Sequence, residues 1–194
     1  MAKLKILKYG DPLLRAKAKE VSKISKKVRA LVDNMLEAMY LANGVGLAAP
    51  QVGESLRIFV IDISEPDEAL NPKVFINPKI IKKSGAMCTK EGCLSFPEVY
   101  TDVRRYKNVT VKALDIDGRP FILESDSELL SKAIQHEFDH LDGILFIDHA
   151  RNVLEANTIL VQYNLPPVEN EKLIEEAELE EEILKDMGIE SESE

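Results

Sequence analysis

The stretch Ser125-Asp126-Ser127-Glu128-Leu129-Leu130-Ser131-Lys132-Ala133-Ile134-Gln135-His136-Glu137-Phe138-Asp139-His140-Leu141-Asp142-Gly143 decides how this chain is read. Ser125 and Glu128 stand at capping-box spacing, and Gly143 suits the left-handed end of a helix. A helix is therefore expected over 126–142. Ile134, Phe138 and Leu141 give it a core face. His136 and His140, four residues apart, lie about 40° from each other around the axis. Both imidazoles can then reach one metal ion. Glu137 stands between them, within reach of water at that ion. This is the HExxH arrangement, in which the Glu serves as general base. The plainer reading is a chance match on a helix with two surface histidines. With three histidines in 194 residues, such a match is rare.

Working outward, 25–43 has Val28, Leu31, Val32, Met35, Leu36 and Met39 at helical spacing, with Gly44 as its stop. A loop, 44–51, leads to the apolar, β-branched run 57–63, read as a buried strand. Strands are expected at 73–77 and 79–82, broken at Pro78. Segment 108–114 alternates like a half-buried strand and turns at 115–118 into 119–124. A last helix is expected over 151–163. Helix, strands, helix, helix gives an α+β class, with mostly antiparallel sheets around a central HExxH-bearing helix and a C-terminal helix.

Bulk properties set limits. The formal net charge is −9, but residues 169–194 carry twelve acidic residues and two lysines. The rest of the chain is thus nearly neutral. Acidity confined to a tail argues against nucleic-acid binding, which needs clustered Lys and Arg. No run approaches the roughly 18 apolar residues of a membrane span. Residues 1–9 are too interrupted by charge for a signal-peptide core. The expected location is the cytoplasm. Residues 1–167 read as one catalytic domain, and 168–194 as an acidic tail, solvated and partly helical.

A catalytic site of this kind needs a third protein ligand and an open position. His149 falls three residues late for an HExxHxxGxxH pattern and reads better as a capping or partly buried histidine. Glu155, on the following helix, is the ligand a peptide-bond metalloprotease would use. Cys93, in Glu91-Gly92-Cys93-Leu94-Ser95-Phe96-Pro97, is the better candidate, since Gly92 and Pro97 suit a residue fixed in a turn. A Cys93, His136, His140 donor set suits Fe(II), Ni(II), Co(II) or Zn(II) rather than Mg or Ca. Cys88 with Cys93 and both histidines would instead make a closed, non-catalytic zinc module. The 42 residues between the Cys and His pairs exceed a compact finger, and Glu137 would then have no task. Cys88 is expected to be a free thiol or small core residue.

Three motifs now stand in order: Gly44-Val45-Gly46-Leu47-Ala48-Ala49-Pro50-Gln51, Glu91-Gly92-Cys93-Leu94-Ser95, and Gln135-His136-Glu137-Phe138-Asp139-His140. Together they closely resemble the peptide deformylases, over about residues 5 to 165. The resemblance implies an Fe(II) enzyme acting on N-formylmethionyl nascent peptides, in transient proximity to the ribosome, with Zn(II) or Ni(II) as substitutes. It implies Cys93, His136 and His140 as metal ligands and Glu137 as base and acid. Gln51 and the Leu94 N–H would be oxyanion donors. Gly46 would let the backbone approach the substrate.

The methionine side chain needs an apolar pocket. Leu129 and Ala133 lie on nearly the same helix face as the histidines, and Val45 is a further candidate. All three could equally be core residues. Lys132 lies on this side too, where a charged head is awkward unless it swings to water. Asp139 is expected to pair with Arg104 or Arg105 at the surface.

Overall fold

The computed structural model describes residues 4–65 and 68–168. The expectation of a partly helical acidic tail falls outside these residues. The elements in chain order are α1 (Lys26–Leu41), β1 (Gly46–Ala48), β2 (Ile58–Ile61), β3 (Lys73–Cys93), β4 (Phe96–Leu114), β5 (Pro120–Glu124), α2 (Glu128–Asp142) and α3 (Val153–Gln162). The five strands form one sheet in sequence order, and every neighbouring pair is antiparallel. With its helices this is the expected α+β class. Among the described residues, no helix is long and apolar enough to cross a membrane.

Strand periodicity arranges the layers. Successive side chains point to opposite faces of a sheet. Leu47, Ile58, Val60 and Ile76 therefore meet Val28, Val32, Met35 and Met39 of α1. Ala48, Phe59, Ile61 and Phe75 meet Leu130, Ala133, Ile134 and Leu141 of α2 on the other face. The sheet is covered on both sides here, and so β2 is a continuous apolar run rather than an alternating one. A third cluster joins Leu14, Phe96, Val99, Phe146 and Leu160. Val168 belongs to it, and Asn157 clamps that residue's backbone from α3.

Several boundaries differ from expectation. The N-cap of α2 is Ser127, whose Oγ accepts from Leu130 N. Ser125 instead pairs with β4, donating its N–H to Val109 O and accepting Val109 N–H at Oγ. The left-handed residue ending α1 is Asn43, with Gly44 N–H donating to Met39 O. This closes the last turn one residue before the glycine. Pro78 does not break a strand. Asn77 takes φ +50° and the register shifts there, so the proline sits in a bulge with no ladder donor to lose.

The larger difference is that β3 and β4 run on as a long hairpin through 83–107. Its tight turn is Leu94-Ser95, between the paired residues Cys93 and Phe96. α2 is fixed to this hairpin by polar contacts. The Gln135 amide accepts from Tyr106 N (3.0 Å) and donates to Tyr106 O (2.8 Å).

Gly143 ends α2 with φ +73°, and a Cβ there would lie 2.4 Å from the Arg15 carbonyl oxygen. A left-handed non-glycine residue costs about 1–2 kcal/mol, and the clash adds to it. Gly143→Ala should therefore lower the melting temperature by about 5 °C or more. Thermal denaturation checks this, and an unchanged midpoint would contradict the packing described.

Candidate metal centre

Cys93 ends β3 at the hairpin turn, while His136 and His140 stand one turn apart on α2. Their ligand atoms all lie within 4.8 Å of one another. Cys93 Sγ is 3.3 Å from His140 Nε2. Among the described residues, this is the group of three such side chains gathered closely enough to share an ion. Cys88 is exposed and faces Arg104 across the hairpin. His149 is bound to Asp139 (3.0 Å), and Glu155 lines a separate cavity with Thr101, Asp102 and Arg151. None of these three joins the cluster. The third position thus goes to Cys93, and the arrangements that need Glu155 or Cys88 are not formed.

The chemistry of the cluster fits a divalent cation. His136 Nδ1 lies 2.9 Å from Glu91 Oε2. Donating its Nδ1–H there leaves Nε2 as a lone pair for a metal, the usual way a second group fixes a ligand's tautomer. Burial alone would lower the His136 pKa, but the Cys93 sulfur and the Glu91 carboxylate hold it well above the ordinary histidine value. The same negative field attracts a metal ion. Burial, with the charge of His136 added, pushes His140 well below the ordinary value, so its imidazole is neutral.

Behind these ligands lies a buried charge network. Arg105 donates from Nε and Nη2 to the two Glu91 oxygens at 2.9 and 3.0 Å, and from Nη1 to Asp139 at 2.5 Å. Arg105 is 3% exposed. The Asp139 pair expected at the surface is therefore internal and made with Arg105. Burial would raise the Glu91 pKa, but Arg105 and His136 bring it down to about 2. The sequence motif alone gives Glu91 no role. Its signal was Arg105, an inward position in Val99-x-Thr101-x-Val103-x-Arg105 that a strand would bury unless a carboxylate met it.

Glu137 is buried, and its Oε2 has no hydrogen-bond partner among the described residues. Burial pushes its pKa up to about 7, with His136 opposing and Glu91 adding to the rise. A carboxylate poised near neutral pH is suited to exchanging protons. Gly46 has a contact that sequence reading did not foresee. A Cβ on it would lie 2.5 Å from Glu137 Oε1, so β1 passes directly against the carboxylate.

Gln51, 1% exposed, is held by its own turn: Oε1 accepts from Ala48 N at 2.8 Å. That leaves Nε2 directed at Ser95 Oγ (3.2 Å) and Cys93 Sγ (3.4 Å). Gln51, Leu94, Val45, Gly46, Leu129 and Ala133 all line one cavity of about 700 Å³ together with Cys93, His136 and Glu137. His140 is not among its lining residues.

The profile of the polypeptide deformylases matches residues 3–155. The chain belongs to that family. The peptide deformylase of Dictyoglomus thermophilum is 51% identical over 145 residues, which are 75% of this chain and 91% of that protein. That of Acidobacterium capsulatum is 50% identical over 145 residues, 73% of this chain and 83% of the relative. The crystal structure of a peptide deformylase from Synechococcus elongatus in complex with actinonin matches with a TM-score of 0.81 at 46% identity, over 84% of this chain and 89% of that one. Family and cluster together make this chain a metal-dependent hydrolase.

Glu91→Gln should keep the fold yet weaken zinc binding by about 10- to 100-fold, because His136 exchanges a charged acceptor for a neutral amide that Arg105 can also turn to itself. Competition titration against a chelator measures this, and equal affinity would remove Glu91 from the site. The same carboxylate carries a pH signature. Its folded pKa of about 2 lies below the unfolded value of 4.5. Its stabilisation is therefore present above about pH 4.5 and lost as pH falls through about 2. Stability curves over that window should be flatter for the Gln variant than for the parent.

Proposed function

We propose that this chain removes the formyl group from the N-terminal formyl-methionine of newly made proteins, giving formate and a free amine. The observation that carries this reading is the unpartnered Glu137 carboxylate beside Cys93, His136 and His140, in the cavity that also receives Gln51. Cys93, His136 and His140 would hold the ion. When bound, it supplies Lewis acidity, which makes water acidic and polarises a carbonyl. The Cys93, His136, His140 donor set suits Fe(II), Zn(II), Ni(II) or Co(II) alike, and it is the likeness to the peptide deformylases that favours Fe(II), with the others as substitutes.

The chain's own groups supply the rest. Glu137 takes a proton from the attacking water and delivers it to the leaving nitrogen as the formyl C–N bond breaks. Gln51 Nε2 donates to the oxygen that gains charge, and its anchored Oε1 keeps it aimed. The Leu94 N–H, on the turn after Cys93, is the second donor. Val45, Leu129 and Ala133 receive the methionine side chain. The substrates are nascent chains in the cytoplasm, met near the ribosome. The catalytic domain, expected over 1–167, takes in Val168, which packs into its core, and the residues that follow serve as an acidic appendage with no nucleic-acid role.

Formate release from formyl-Met-Ala-Ser by protein purified without oxygen tests the reading. The parent should turn over. Glu137→Ala should hold metal and be inactive, whereas Cys93→Ala should lose both metal and activity. Gln51→Ala should retain metal and lose ~100-fold or more in kcat. A metal-loaded parent that releases no formate would overturn the assignment.

A further inference from the structure

The mouth of the cavity carries three lysines, Lys8, Lys90 and Lys132, from three separate segments. Lys132 stands one helical turn before His136 on α2. Its ammonium donates to the Lys90 carbonyl at 3.4 Å, in a solvent-exposed contact. Lys90 is exposed on β3, one residue before Glu91. Lys8 donates to the Leu94 carbonyl at 2.8 Å, beside the turn that follows Cys93. Among the described residues, none of the three ammonium groups has a carboxylate partner.

The carboxylates of the same cavity do not balance them. Glu91 is bound on both oxygens to Arg105, and Glu137 is buried. Glu98 alone is an exposed acid on the rim. This charge is local, because residues outside the acidic tail are nearly neutral as a whole. Clefts lined by one sign of charge focus the field on what enters them.

We propose that Lys90 and Lys132, with Lys8, make this mouth selective for peptides carrying a carboxylate side chain just after the formyl-methionine. The inference rests on the deformylase reading and adds a substrate preference to it. An acidic peptide fits better than an RNA phosphate, because these lysines ring the path to the metal ligands rather than forming a face of their own. The preference arises in binding and so belongs in KM. Each solvated pair contributes modestly, and two together give about a 5-fold gain.

The test compares formyl-Met-Glu-Ser-amide, formyl-Met-Gln-Ser-amide and formyl-Met-Lys-Ser-amide. The C-terminal amide removes a carboxylate that would meet the same lysines. The metal-loaded full chain should favour Glu over Gln by about 5-fold in kcat/KM, through KM, and disfavour Lys. The Glu/Gln ratio should fall toward one at ~1 M salt, where the screening length is about 3 Å. It should also fall in the double variant Lys90→Gln, Lys132→Gln, and a merely structural loss would not change a ratio measured within one enzyme. Equal turnover of the three peptides overturns the preference and leaves the deformylase reading standing. No formate from any of them overturns both.

Discussion

The guanidinium of Arg105 is the contact on which the rest of the site depends. It sits on β4, grips Glu91 on β3 and holds Asp139 on α2. Placing such ions inside a protein costs several kcal/mol each, and only complementary geometry offsets it. Here the geometry is complementary, with two parallel bonds to one carboxylate and a third to another. The consequence is positional. The hairpin and the helix can meet in one relative placement only, the one that puts Cys93 beside His140 and Glu91 beside His136. His149 binds the same Asp139, tying the turn after α2 into the arrangement.

Around that junction the sheet does two jobs. Through β2 it is a buried divider, with α1 on one face and α2 on the other. Beyond β2 the long hairpin of β3 and β4 leaves this sandwich and carries Cys93 and Leu94 to the cavity. The short strand β1 stands at one edge of the sheet order, bringing Gly46 against Glu137 and leading into the turn of Gln51. The cavity therefore forms where three parts of the chain, distant in sequence, converge on one helix.

What could be read from the sequence follows from how local each signal is. α1, α2, β2, β5 and the 108–114 end of β4 carry their apolar pattern within one window, and all were legible to within a few residues. The His pair and Glu137 were legible because helical spacing alone places them. The outer half of the hairpin was not, because the charged run Arg104, Arg105 and Lys107 cuts short the alternation of Val99, Thr101 and Val103. Arg105 belongs to that inward set, but its partners lie on another strand and another helix, 14 and 34 residues away. Ser127 displaced Ser125 as the cap for a similar reason: Ser125 is engaged by β4, a competitor invisible to a local rule.

The placement of Glu91 also explains how two neighbours on α2 acquire different tasks. His136 and Glu137 are adjacent, both are buried, and burial disfavours the charged form of each. Glu91 adds negative charge to both. For His136 that charge, with the Cys93 sulfur, reverses the effect of burial and makes the position attractive to a cation. For Glu137 the same charge acts with burial and helps carry its pKa toward neutrality. Glu91, itself held ionised by Arg105, thus acts with the Cys93 sulfur to favour a positive charge at one residue, and with burial to favour a readily exchanged proton at the next. Arg105 tempers the second effect, since its own charge opposes the rise at Glu137. The separation of ligand from base on this helix is therefore set from the strand beneath it.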